Sequence, residues 1–331
     1  MIAEDEYDPF SPIAKLRDVC PTLMTSSDLL SLEIPEINWV IPKLLPAGLA
    51  LLAGEPKIGK SYFLLKLAKD ITENGGKVFY FAGEDSSYLS QKRLKELDLD
   101  VGEDLIVHCG RDSLLSEPSK FKDTIEQILS IQRFDAIFLD NMEMVLPARG
   151  KGSDDYAYYY KQLPPWAMLA SKHNCTILMT HHTKKERDSN PFKSILGSQA
   201  IMGCCDSVLV MDRSDQPNQF TLHATGKFIT DKAINLNRKG CLFQFDGSQY
   251  EAQLKKNSGQ YTVYEYIRDH PDCFQKQIAE NAGIKKQNVS RNIKILVARG
   301  YVVGNNNVGF RITRMLDDLD YSDDQKSKSS G

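Results

Sequence analysis

The stretch GLALLAGEPKIGKSYFLLKLAKDITENGG, residues 48–76, constrains the fold more than any other part of the chain. A short apolar run ends at Gly54. A loop follows in the frame Gly54, four residues, Gly59, Lys60, Ser61. Phe63, Leu64, Leu67 and Ile71 then recur at helical spacing until Gly75 and Gly76 stop the pattern. A buried strand, a glycine loop and a helix in that order begin a β–α unit of a parallel sheet. The alternation continues. Strand-like runs fall at KVFYFAG (77–83), DLIVHCG (104–110), AIFLD (136–140) and CTILMTHH (175–182). Helical patterns lie between them at 87–97, 119–132 and 154–173. The expectation is an α/β fold with a mostly parallel sheet covered on both faces. In such sheets ligands bind at the carboxyl ends of the strands.

Polar residues mark those ends. The loop from Gly54 through Glu55, Pro56, Lys57, Ile58, Gly59, Lys60 and Ser61 to Tyr62 has the form that wraps phosphates in backbone N–H groups, with a helix N-terminus behind them. Lys60 would reach the outer phosphates, and the Ser61 hydroxyl would hold Mg²⁺. Asp140 ends the fourth run and is the expected second Mg²⁺ group, reached through a coordinated water. Glu84 follows the second run and is the candidate general base for an attacking water. The cluster Glu84-Asp85-Ser86-Ser87 also reads as a helix N-cap, so Asp85 or Ser86 could cap while Glu84 catalyses. His181 and His182 end the fifth run. One of them could contact the terminal phosphate, and His181 is the preferred choice.

Composition sets the bounds. At 331 residues, with 41% hydrophobic and 26% charged, the chain suits one large domain or two. It has no apolar run long enough to span a bilayer, and MIAEDEYDPFSP is acidic rather than secretory. Seven scattered cysteines without metal-ligand spacing read as reduced thiols of a cytoplasmic protein. The net charge of −3 hides an uneven distribution. Residues 275–314 carry eight Lys and Arg against one Glu, whereas the tail 315–331 begins acidic.

The ordered motifs resemble a known family. INWVIPKLLPAGLALLAGEPKIGKSYFLLKLA (37–68), FYFAGED (79–85), IFLDNM (137–142), ILMTHHTKK (177–185) and SILGSQAIMGCCDSVLVM (194–211) are similar to the RecA-like ATPase domain of plasmid RepA and DnaB-type helicases. Trp39 and Pro42 fit the approach to the first strand. The resemblance spans roughly 37–246. It implies a RecA-like P-loop fold, ATP hydrolysis with Mg²⁺, and a homo-hexameric ring with ATP between subunits. It also implies single-stranded DNA held by pore loops. Two polar loops suit that role, with Arg149 and Lys151 in one and Lys184 and Lys185 in the other; each also reads as a solvated loop. Leu196 stands where the family has Arg, which weakens any contact assigned to that segment. Lys227 and Lys232 occupy the hairpin that would supply a cation to a neighbouring subunit. Arg213 and Arg238 are the other choices.

After a polar linker the pattern changes. Helical runs at 262–270, 274–284 and 286–302, then two short strands round a GNNN turn, spell a winged helix. The AENAGI turn before the third helix resembles a helix-turn-helix. Gln287, Asn288, Ser290, Arg291 and Lys294 would lie on its reading helix and Arg311 on the wing. The expected organisation is an N-terminal arm (1–36), a RecA-like ATPase domain (37–254), a winged-helix DNA-binding domain (258–314) and an acidic tail (315–331). The expected function is a DNA-dependent ATP-driven motor of the hexameric helicase type, acting in replication of a plasmid, phage or mobile element, with origin duplex DNA as a further partner. The alternatives are an ATP-switched DNA-binding regulator and a recombinase-like accessory ATPase.

Overall fold

The computed structural model describes residues 12–33, 36–113, 115–150, 152, 154–184, 190–195, 198–245, 258–298, 302–305 and 309–312. Lys151, Lys185, Leu196 and the tail 315–331, all singled out above, lie outside the described residues. The chain divides into one compact unit up to Ile37 and a second from Asn38. In the first, helices Pro12–Val19 and Ser26–Ser31 bury no residue, and Thr25 and Asp28 cap the second reciprocally.

The second unit is built on a nine-stranded sheet. Counting two short strands at Trp39–Ile41 (β1) and Leu45–Pro46 (β2), its members are β3 (Gly48–Gly54), β4 (Val78–Ala82), β5 (Leu105–Cys109), β6 (Ala136–Asp140), β7 (Thr176–His182), β8 (Ser207–Arg213), β9 (Gln219–Gly226), β10 (Ile229–Lys239) and β11 (Leu242–Phe245). The order is β11-β10-β9-β8-β3-β7-β6-β4-β5. From β8 to β5 every neighbour pairs in parallel, and β9, β10 and β11 extend the β8 edge antiparallel.

Alternation along each strand divides the core in two. Ala50, Leu52, Tyr80, Phe138 and Leu178 face one hydrophobic cluster. Leu51, Phe79, Phe81, Ile137 and Met179 face the other. The helix Lys60–Glu73 covers the first face and buries Phe63, Leu64, Leu67 and Ile71. Each such side chain contributes about 1.5–3 kcal/mol on burial.

The single helix expected over 154–173 is two, Asp155–Gln162 and Pro164–His173. Pro164 and Pro165 lack the N–H groups that would continue the first helix, but suit the opening positions of the second. Asp154 caps the first by accepting from the Ala157 N–H at 3.1 Å.

The C-terminal element has its own core, with Val263, Ile267, Ile278, Val289, Leu296 and Phe310 buried. Helices Ser258–Asp269, Gln275–Asn281 and Lys286–Ala298 precede an antiparallel pair, Val302–Asn305 with Gly309–Ile312. That is a winged helix. No helix among the described residues is long and apolar enough to cross a membrane.

Candidate nucleotide site

The loop after β3 opens into a cavity of 360 Å³. Lys57, Gly59, Lys60, Ser61 and Tyr62 line one side; Glu84, Asp140, Asn141, Thr180 and His182 come from the ends of β4, β6 and β7. The helix Lys60–Glu73 has Gly59 as its N-cap with no side-chain cap. Its first N–H groups, which no side chain caps and which have no intrahelical partner, form a helix end of the kind that suits an anion. Lys60 is buried; its Nζ donates to the carbonyls of Gly54 at 2.9 Å and Glu55 at 3.1 Å, and lies 3.3 Å from His182 Nδ1. Burial pulls the Lys60 pKa down, against the charges of Asp140, Glu143 and Glu84. Burial and the Lys60 charge also lower that of His182, and the Lys60 ammonium, which can only donate, makes Nδ1 the acceptor in their contact.

The acidic side is equally organised. Thr180 donates its hydroxyl to Asp140 Oδ1 at 2.5 Å, and Tyr80 donates to Oδ2 at 3.2 Å. Burial raises the Tyr80 pKa well above its ordinary value, which keeps the donor protonated. Asn141 donates Nδ2–H to Glu84 Oε1 at 2.6 Å, while its own buried Oδ1 has no partner among the described residues. Ser86, not Asp85, caps the following helix, accepting from Leu89 N at 3.4 Å. Asp85 pairs with Arg93, and burial still raises its pKa.

These residues fit a nucleoside triphosphate with Mg²⁺. The uncapped helix end and a lysine that, among the described residues, donates to neutral acceptors suit phosphates. One hydroxyl and one carboxylate suit Mg²⁺, which keeps several waters and is completed by phosphate oxygens. No cluster of three or more His, Cys, Asp or Glu among the described residues could hold a metal unaided.

The preferred histidine needs correction: His182, not His181, lines this cavity. Thr180 and His182 share a strand parity with Leu178, on the face of the Lys60 helix, whereas His181 shares that of Ile177 and Met179. His181 is buried in a second cavity of 280 Å³ on the opposite face, with Nδ1 2.7 Å from Glu143 Oε1 and Tyr159 edge-on to its ring.

The remaining basic residues are dispersed. Lys227 donates to Asp206 Oδ1 at 2.7 Å, and Lys232 to the Lys43 carbonyl at 2.7 Å. Arg213 reaches the Lys57 carbonyl at 3.5 Å, and Arg238 lines the cavity itself. Arg238 stands one residue before the end of β10, and the antiparallel register brings it to the same end of the sheet as the carboxyl ends of the parallel strands. Arg149 pairs with Asp155, and its guanidinium lies 6.0 Å from the Tyr158 ring centre. Lys184 is exposed beyond β7. In the winged helix, Gln287, Asn288, Arg291 and Lys294 are exposed on the third helix and Ser290 is half-buried. Arg311 lines a 470 Å³ cleft with Trp39, Asn74, Asp135 and Asp272.

Each of the two parts resembles known proteins. Residues 257–306 match the MarR family. The DNA repair protein RadA of Listeria monocytogenes is 23% identical over 182 residues, covering 54% of this chain and 36% of that protein. RadA of Streptococcus pneumoniae is 25% identical over 183 residues, covering 54% of this chain and 39% of that protein. The chain thus spans little more than a third of these relatives. Among solved structures, one isolated ATPase domain aligns with a TM-score of 0.50 at 12% identity, over 71% of this chain and 99% of that domain. At that identity the likeness is one of fold, and the fold is RecA-like. Residues 14–188, more than half of the chain, match the AAA domain model, and the protein belongs to the AAA domain family, with a C-terminal winged helix of MarR type.

Proposed function

We propose that the protein hydrolyses ATP with Mg²⁺ and couples turnover to movement of single-stranded DNA, as a hexameric helicase-type motor in replication of a plasmid, phage or mobile element. One observation carries the reading: a single cavity gathers Lys60 and Ser61 of the loop with Asp140 and Glu84 of neighbouring strand ends. Mg²⁺, when bound, would neutralise charge on the outer phosphates, held by the Ser61 hydroxyl and, through water, by Asp140. Lys60 exchanges its two carbonyl acceptors for phosphate oxygens. Glu84 takes the proton of the attacking water, with one carboxylate oxygen fixed by Asn141 and the other left for the water. His182, linked to Lys60 in the open loop, senses the terminal phosphate.

Lys227, at the exposed turn between β9 and β10, and Lys232 are the cations offered to a neighbouring subunit; the wide separation of such a group from its own site makes hydrolysis depend on assembly. Arg149 and Lys184, with Lys151 and Lys185, serve DNA in the pore. The exposed face of the third winged-helix helix meets duplex phosphates and bases.

Turnover tests this. ATPase activity stimulated by single-stranded DNA, together with strand displacement, is the expected result; Lys60→Ala removing neither would end the assignment. The RadA relatives favour a second reading, a recombinase-like accessory ATPase. Electron microscopy separates the two, with rings supporting the first and filaments the second.

A further inference from the structure

The edge of the sheet that carries no hydrolytic group also reaches the loop. Phe243 on β11 faces Arg238 on β10 in register. Its ring packs so close to the loop that a Cβ on Gly59 would lie 2.8 Å from it, and 3.8 Å from Arg238 Nη1. Gly59 also has φ 116°, so only glycine suits this position on both grounds. The Arg238 guanidinium lies 5.5 Å from the Phe220 ring centre and 6.0 Å from that of Phe243. Its Nε is buried and has no hydrogen-bond partner among the described residues. Arg213 lies over Phe220 as well, at 5.6 Å. The antiparallel extension therefore packs an arginine against aromatic rings and aims it into the cavity of Lys60 and Ser61.

Topology says which end of a nucleotide it would meet. The loop strand β3 lies between β7 and β8. Asp140, Glu84 and His182 stand on the β7–β6–β4 side; Arg238 comes from the β8–β9–β10 side. A triphosphate whose reactive end meets Asp140 and Glu84 turns its nucleoside end toward Arg238. A guanidinium beside an uncapped helix end suits an anion there, since its planar fork can donate two parallel bonds to one phosphate.

We propose that Arg238 binds nucleotide within its own subunit, donating to the α-phosphate, rather than serving a neighbour. Phe220 and Phe243 hold the guanidinium plane. This rests on reading the loop as a nucleoside triphosphate site.

The test uses the full chain and fluorescent ADP and non-hydrolysable ATP as probes. Arg238→Ala should weaken both to a similar extent, ~10–100-fold, the loss expected of charge-assisted bonds. The loss in kcat/KM should fall mainly in KM, because the α-phosphate contact is the same in ground and transition states. Arg238→Lys keeps the charge but not the fork, and should lose several-fold. It decides the matter if Arg238→Ala fails to fold, and wild-type affinity in the folded variant overturns the proposal. Mixing supplies the second arm. At ATP well below the KM of Arg238→Ala, where its turnover is low, Lys60→Ala subunits, whose own site is dead, should not restore turnover to Arg238→Ala subunits; restoration would show that Arg238 acts on a neighbour. Lys60→Ala alone reports on the underlying reading. If it binds ADP normally, the nucleotide site itself is wrong. If it loses ADP while Arg238→Ala keeps wild-type affinity, only the Arg238 assignment falls.

Discussion

Glu84 is exposed, yet one of its oxygens is fixed by Asn141, the residue next to Asp140. The proposed base and the proposed Mg²⁺ group are thereby tied to each other across two strand ends. Asn141→Ala should lower kcat by ~10–100-fold, as misplacing a catalytic group does, while nucleotide affinity stays within about twofold. In a Glu84→Gln background the same change should cost nothing more. Single-turnover hydrolysis in the four-protein cycle checks this; equal losses in both backgrounds would mean that Asn141 acts elsewhere. At this scale the sequence is informative where one residue type does one job. Gly54, Lys60, Ser61 and Asp140 stand at positions where spacing and strand ends alone point to phosphate and Mg²⁺. His181 and His182 show the limit. Their opposite parity is plain in the sequence, but which parity shares a face with the Lys60 helix depends on how β7 lies beside β3 and β6, and that is a tertiary fact.

Elements carry costs that the site depends on. The helix behind the loop buries an ion pair, Lys66 with Asp70, at 2.6 Å and only 4% side-chain exposure on each side. Removing one partner strands a charge in the core. Asp70→Ala should cost about 3–5 kcal/mol, and the double replacement Lys66→Met with Asp70→Leu should restore most of it. Urea unfolding of the three proteins tests both statements, and a near-neutral single variant would contradict them. On β10, burial pulls the Lys232 pKa from 10.5 to about 8. Between those values the unfolded chain binds more protons than the folded one, so stability rises with pH across that window. Relative to Lys232→Met, the wild type should therefore gain stability from pH 8 to pH 10, by about 1–2 kcal/mol after allowing for the solvent that still reaches the side chain. A flat difference in denaturation midpoint would show that the ammonium is better solvated than its packing implies. Most elements are plain from periodicity, because strands such as GLALLAG bury a continuous run and the large apolar residues Phe63, Leu64, Leu67 and Ile71 of the helix at 60–73 recur at helical spacing. The break at Leu163 is signalled by two prolines but masked by apolar residues that keep helical spacing on both sides.

For the whole molecule, the parallel core from β3 to β5 is readable from alternation of runs, and the winged helix from three short amphipathic helices and a turn. The antiparallel extension is not. β9 to β11 curl back so that Phe243 touches Gly59, residues far apart in the chain, and no local pattern announces that closure. It turns a loop at the end of a parallel strand into a cavity walled from two sides. The proposed hydrolytic groups stand on one side and an aromatic-packed arginine on the other. That arrangement, joined in one chain to a helix exposing Gln287, Asn288, Arg291 and Lys294, is what favours a DNA-coupled ATPase over a nucleotide-held regulator. Turnover driven by DNA is what this arrangement is proposed to perform. The most direct measurement is steady-state ATP hydrolysis by the full chain with and without single-stranded DNA, alongside Glu84→Gln. Stimulation by DNA in the wild type and a loss of at least ~100-fold in Glu84→Gln, with nucleotide binding retained, are expected. Hydrolysis that is indifferent to DNA, or that survives in Glu84→Gln, would contradict this proposal.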